Sequence, residues 1–346
     1  MPRSDKFSKD RDYVLGVFYL YYPSGDKYQK DKPIRALESI LSRFKCKKTI
    51  FYIDNSSRGD YARKISDNEY ELSGDNSFFE FSGWQRGIDF SKKKNLPCDA
   101  FLFVNDKFLY SSFFHRQLVN PAAMRCAIGN NAMVGKRMFF SVSGQIMGNP
   151  LIPYVRTHIF MLSKKVTDAL GSIVSIDRRS LERFFIANYD PTIQLFRLDA
   201  PVSQEIKEFI FSHVTMKWYR KKPYESENFE VLRNKAASIL NSMLLSLRVR
   251  QLGYPLIALD KTEKFFSKDF SINQINQSWF KEKAFDEKTA IVPTSKFWAK
   301  NALFYRHLPP KQPTKKILEN LSATQPGKKI FKNFLKRILE NSPGHL

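Results

Sequence analysis

The chain has 346 residues and a formal charge of +23, from 57 Lys and Arg against 34 Asp and Glu. Its 42% hydrophobic content and 31 Phe exclude wholesale disorder, and no apolar run approaches the ~20 residues of a membrane-spanning helix. The charge asks for a polyanion (nucleic acid, an anionic membrane face or the pyrophosphate of a nucleotide-linked substrate), unless it serves only solubility or reflects a Lys-heavy genome.

Residues 1–13, MPRSDKFSKDRDY, are charged and lack the apolar stretch of a signal peptide, so a cytoplasmic protein is expected. Residues 12–26 then predict a first strand ending at the turn signal Pro23-Ser24-Gly25. In 32–44, Ile34, Leu37, Ile40, Leu41 and Phe44 recur at helical spacing, with Pro33 near the start. A second buried strand over 47–57 ends in Asp54-Asn55-Ser56 and completes a βαβ unit. Residues 68–108 repeat the pattern: a short polar strand, an aromatic helix and a buried strand. Two units in tandem imply a doubly wound sheet. Further strands are expected at 135–144 and 157–165, a long helix at about 230–252, and a strand over 253–259 after a helix end at Gly253. Cys46, Cys98 and Cys126 are odd in number and scattered, which fits reduced buried thiols better than a disulfide framework or a zinc motif.

Within that pattern, CDAFLFVNDKFLYSSF (98–113) stands out. Phe101 to Val104 are apolar at every position, as a central strand covered on both faces requires. Asn105-Asp106-Lys107 follow at the carboxyl end, where open α/β sheets bind ligands. The same residue types also make ordinary turns.

The order of these pieces resembles the nucleotide-binding half of a GT-A glycosyltransferase of the inverting family 2. IDNSS (53–57) is similar to that family's step after the second strand, and NSFFEFSGWQRGID (76–89) to its following helix, through Asn76 and Gly87. FLFVNDKF (101–108) stands in the slot of its metal- and diphosphate-binding Asp-x-Asp, and LSLRVRQLGYPLIAL (245–259) is close to its last shared segment. The pairing of FSGWQRG with FVNDKF is most similar to rhamnan-synthesis and related surface-polysaccharide enzymes. The resemblance covers roughly residues 12–260. It implies an α/β, GT-A (Rossmann-like) doubly wound, mostly parallel sheet with a helical C-terminal extension.

For such chemistry the resemblance implies a nucleotide-sugar donor, held by Tyr21, Asp54, Asn55, Asn76, Gln85, Asn105 and Lys107, and a glycan or lipid-linked acceptor. Tyr21 and Tyr22 are placed to stack on the base, though tyrosines after a strand also fill cores, and Asp54 also suits an Asx-turn. The slot departs from the family by leaving Asp106 its only carboxylate. One carboxylate plus substrate phosphates can hold Mg²⁺ or Mn²⁺, with His115 or His158 as extra ligands. A metal-independent site, in which Lys107 neutralises the leaving group, stays open. Asp106, Glu80 and Glu227 are the candidate catalytic carboxylates, with Glu225, Glu230 and Asp89 as alternatives, because the slot of the family's acidic pair reads Asn241-Ser242. Inverting and retaining outcomes are both open, as is a non-catalytic scaffold. Of Phe78, Phe79, Phe81 and Trp84, more than one helix face needs, some are expected in a sugar groove and most in the core.

Prolines 309, 310 and 313 mark a boundary before a basic end segment. In 327–344, Ile330, Phe331, Phe334, Leu335, Ile338 and Leu339 share one helical face against Lys328, Lys329, Lys332, Lys336 and Arg337. That pattern suits a helix lying in an anionic membrane surface through 328–339, or one docked on its own domain. The expected organisation is a catalytic domain over 1–260, an extension packed on it over 261–310, and the basic linker and helix over 311–346. A peripheral place on the inner face of the cell membrane follows. A nucleic-acid partner is not expected, because no recognition motif accompanies the charge.

Overall fold

Strand β1 (Val14–Tyr21) is buried at every position after Val14, so it forms with side chains gripped on both faces. Helix α1 (Asp31–Leu41) leads to β2 (Lys47–Asp54), which pairs with β1 in parallel and sets Asp54 opposite Tyr21. Strands β3 (Ala62–Ser66) and β4 (Glu69–Ser73) form an antiparallel pair whose outer member is exposed throughout. Helix α2 (Glu80–Lys93) then returns the chain to β5 (Ala100–Asn105), buried at all six positions. A 3-10 turn over Asp106–Tyr110, helix α3 (Pro121–Gly129) and strand β6 (Met133–Met138) follow. A two-stranded pair, β7 (Gln145–Ile146) and β8 (Asn149–Pro150), precedes the long β9 (Tyr154–Ser163) and α4 (Lys164–Leu170). Helix α5 (Phe229–Gln251), β10 (Leu256–Ala258) and α6 (Ile272–Phe280) complete the molecule as described. This computed structural model describes residues 13–22, 31–56, 59–110, 116–139, 144–146, 148–176, 229–262, 265 and 271–280, all within the compact unit Met1–Lys281.

The main sheet has eight strands in the order β10-β6-β9-β5-β1-β2-β4-β3. Six run one way, while β3 and β9 oppose them. The fold is therefore mixed α/β with a large, mostly parallel central sheet. Alternation along β1 divides the core in two. Val17 and Tyr19 face α1 and α3 with Leu37, Ile40 and Met124, whereas Phe18 and Leu20 face α2 with Phe81, Trp84 and Ile88. Phe18 lies 4.8 Å from Phe51, 5.3 Å from Phe101 and 5.2 Å from Phe103, so the second core is largely an aromatic stack.

Helix α5 is fixed to β9 by buried hydroxyls: Ser246 Oγ accepts from the Val155 N–H at 2.9 Å, and Ser242 Oγ lies 2.8 Å from Thr157 Oγ1. It ends at Gly253, whose φ of 82° only glycine adopts freely, with the Tyr254 N–H donated back to the Val249 carbonyl. Beyond residue 260, Trp279 of α6 is buried and donates its indole N–H to the Pro153 carbonyl at 2.9 Å. The expected strand over 12–26 is shorter, ending at Tyr21, and that over 253–259 shrinks to three residues. Strand β3 and helices α3 and α4 have no counterpart among the expected elements, whereas α6 falls in the helical extension expected over 261–310. No helix among the described residues is long and apolar enough to cross a membrane.

Candidate functional site

The carboxyl ends of β1, β2, β4 and β5 meet at one edge. Between β1 and β5 the strand order changes direction, because the chain goes from β1 outward to β4 and then returns to the far side of β1. Open α/β sheets bind ligands outside such a switch point. A cleft of about 1380 Å³ starts at this edge beside Tyr22 and runs along β4 and α2, lined among others by Asn55, Ser56, Asn76, Phe78 and Gln85.

The sequence-predicted residues divide into those that build this cleft and those that face it. Asp54 forms an Asx-turn, its Oδ1 accepting from the Ser56 N–H at 2.9 Å and from Ser56 Oγ at 2.7 Å. Asn55 is 2% exposed and acts as a brace. Its amide donates to Asn76 Oδ1 at 2.7 Å and to the Phe79 carbonyl at 2.9 Å, and its Oδ1 accepts from the Asn76 N–H at 3.2 Å. Asn76 and Phe79 both hold φ at 52°, a left-handed conformation costing on the order of 1–3 kcal/mol in a side-chain-bearing residue and sustained only by such bracing. Gln85 ties the cleft's far wall, accepting from the Ile173 N–H at 2.8 Å while donating to Asp89 at 2.7 Å. Tyr21 is buried, and its hydroxyl donates to Glu71 at 3.1 Å. Burial first, then the Asp54 and Glu71 carboxylates, push that phenol far above its ordinary value. The ring available to a ligand is instead Tyr22, which lines the cleft and is 42% exposed.

At the end of β5, Asn105 is buried and its Oδ1 accepts from the Lys107 N–H at 3.1 Å, while Asp106 Oδ2 accepts from the Tyr22 N–H at 3.2 Å. One hydrogen bond therefore joins Asp106 to the cleft wall. Burial raises the Asp106 carboxyl above its usual value, with Lys107 opposing and Glu80 reinforcing the rise. Glu80, in the first turn of α2, is 7% exposed. The aromatic helix also divides: Phe81 and Trp84 are wholly buried, whereas Phe78 lines the cleft and the Phe79 ring lies 5.8 Å from Lys235 Nζ.

Around His158 stand three cations that the sequence reading did not single out, Lys136, Arg156 and Lys235. Lys136 on β6 is paired in register with Arg156 on β9, but the neighbouring pair is Gly135 with Phe160. Thr157, His158 and Ile159 thus bulge from the β6 ladder, the kind of irregularity that re-aims side chains beside sites. Lys235 enters from α5 and is 7% exposed. Burial, then the fields of Arg156, Lys235, Lys107 and Lys136, hold His158 down to about 2, so its imidazole is neutral. Its Nδ1 has no hydrogen-bond partner among the described residues. A signal for this group was present in the sequence: Lys and Arg interrupt the otherwise apolar stretches MVGKRMFF (133–140), YVRTHIF (154–160) and NKAASIL (234–240).

Asn241 and Ser242 are engaged internally. Asn241 Oδ1 accepts from the Ser175 and Ile176 N–H groups at 2.6 and 3.0 Å, and Arg248 binds the Leu170 and Ser172 carbonyls of the same loop. Among the described residues no group of three or more His, Cys, Asp or Glu is placed to hold a metal ion. His115, Glu225, Glu227 and the segment 328–339 lie outside the described residues. A scan against protein-family models and a search of curated proteins each find no match to this chain.

Proposed function

We propose that the protein is a GT-A-type glycosyltransferase that moves a sugar from a nucleotide donor to a growing surface glycan, working peripherally at an anionic membrane face. The observation that carries this reading is the hydrogen bond from the Tyr22 N–H to Asp106, which joins the roomy cleft at the switch point to the acidic and basic residues at the end of β5. In this reading the base and ribose occupy the cleft against Tyr22, over the rim that Asn55 and Asp54 hold rigid. The diphosphate passes over the Tyr22–Asp106 junction toward Lys107. The anomeric carbon to oxygen bond then breaks, its electron pair leaving with the diphosphate, while the acceptor hydroxyl bonds to that carbon and gives up its proton. Glu80, acting electrostatically on both Asp106 and Lys235, is assigned as the base.

Calorimetry with UDP, GDP and TDP, followed by a transfer assay on a panel of nucleotide sugars, tests the reading. One nucleoside diphosphate is expected to bind in the micromolar range and to outcompete polynucleotide. Asp106→Ala, which removes the acceptor holding the Tyr22 backbone, should lower turnover at least about a hundredfold with its circular dichroism unchanged, the scale of a lost positioning contact. Near-normal transfer by that variant would sink the proposal, as would a preference for polynucleotide.

A further inference from the structure

We infer that Lys107, Lys136, Arg156 and Lys235 form a diphosphate seat that neutralises the leaving group without a divalent cation, resting on the donor reading only for the identity of the anion. Three features carry it. The cations reach the seat from β6, β9, α5 and the turn after β5, so the sheet edge and a helix enclose it from different sides. Nor is each of them paired: among the described residues, Asp106 acts on Lys107 and Glu80 on Lys235. Lys136, Arg156 and Lys235 have no ion pair among the described residues, although Lys235 is almost wholly buried, where it meets the Phe79 ring and the more distant field of Glu80. Burying cations without partners is costly unless an anion arrives to pair with them.

The third feature is the poor fit of the slot to Mg²⁺ or Mn²⁺. Its single carboxylate already accepts a backbone N–H, and a dication there would meet Lys107 directly, with Lys136, Arg156 and Lys235 grouped around His158 beyond it. Hard divalent ions take oxygen ligands, and one or two carboxylates serve only where the surrounding field does not repel the ion. Lysine and arginine clamps supply the same charge stabilisation to a departing phosphate directly.

The test is calorimetry on the full-length protein in EDTA, using inorganic pyrophosphate and the nucleoside diphosphate that binds best, repeated with Mg²⁺ and Mn²⁺. Both anions are expected to bind in EDTA, and pyrophosphate to displace the nucleotide. Lys235→Met and Arg156→Gln should each weaken binding at least about tenfold, whereas Arg156→Lys retains most of it. The exposed Lys165→Ala is the control for the general positive field and should change nothing. Lys235→Met is also expected to raise the melting temperature of the unliganded protein, which separates lost binding from lost folding. Nucleotide binding that depends on Mg²⁺ or Mn²⁺ overturns the seat and leaves the donor reading standing. Pyrophosphate binding that these variants abolish, with no nucleotide bound, overturns the donor reading and leaves the seat. Unchanged affinity in both variants overturns the inference.

Discussion

Lys235 links the stability of the fold to the chemistry of the site. Burial holds its ammonium down to about 8 from an ordinary 10.5; Glu80 opposes the shift, and Lys107 and Arg156 add to it. Between those two pH values the unfolded chain carries more protons at this position than the folded one, so this group's contribution makes the fold more stable as pH rises. Its unfavourable effect is complete below pH 8. The advantage of Lys235→Met over the natural chain in urea unfolding should therefore be greatest below pH 8 and shrink toward pH 10.5. Taking the difference between the two proteins removes the phenols and thiols that titrate in the same range. Diphosphate affinity should fall as pH rises through about 8, since the cation that meets the anion is being lost. A stability difference independent of pH would mean that Lys235 is not the buried cation described here.

Helix α2 reaches the site because two glycines let it lie on the sheet. Gly83 and Gly87 are one helical turn apart on the same face. A Cβ on Gly87 would stand 2.6 Å from the Phe18 ring and 3.1 Å from Ile53 Cδ1, and one on Gly83 would stand 2.3 Å from Leu20 Cδ1. Alanine in a helix is ordinarily favoured over glycine by about 1 kcal/mol, but the Phe18 ring is locked among three others, and overpacking of this kind costs about 1–3 kcal/mol. Overpacking wins at this contact, so Gly87→Ala should destabilise the protein by roughly 1–2 kcal/mol in denaturant melts; a stabilised variant would show that α2 is not seated this closely. Strongly patterned elements of this kind were legible in the sequence: β1, α1, β2, α2, β5 and α5 each carry an apolar run or period that dictates burial. Strand β3 was not, because ARKIS is exposed throughout and exists only by pairing with β4. The reversed direction of β9 was equally hidden, since an apolar strand reads the same both ways. At the site, the Asp54-Asn55 and Asn105-Asp106-Lys107 steps were legible as strand ends. The bracing role of Asn55 was not, because its partners lie 21 and 24 residues further on. The sequence reading placed both Tyr21 and Tyr22 at the ligand; strand alternation turns Tyr21 into the core and leaves the exposed Tyr22 to line the cleft.

For the whole molecule, the +23 charge has two separable destinations. Part of it lies near the end of β5, where Lys107, Lys136, Arg156 and Lys235 act on His158 with Asp106 and Glu80 close by. A further part is concentrated beyond the described residues, in 328–339, where the sequence has six apolar residues at the spacing of one helical face, with five cations and Asn333 between them. Acceptors carried on lipids are met at a membrane, so a transferase with this site would gain from a surface anchor on the same chain. Six apolar side chains entering the interface, with cations contributing up to about 1 kcal/mol each near an anionic leaflet, suffice for reversible binding. Screening at physiological salt lowers each electrostatic contribution. Deletion of residues 327–346 is accordingly expected to release the protein from anionic liposomes in sedimentation, while its melting temperature and nucleotide affinity stay the same. Binding of the full-length chain should weaken as salt rises and be much lower on neutral lipid. A truncated protein that melts early or aggregates would place the helix on its own domain and end the membrane reading. One that still sediments like the full-length chain would assign the attraction to basic surface elsewhere.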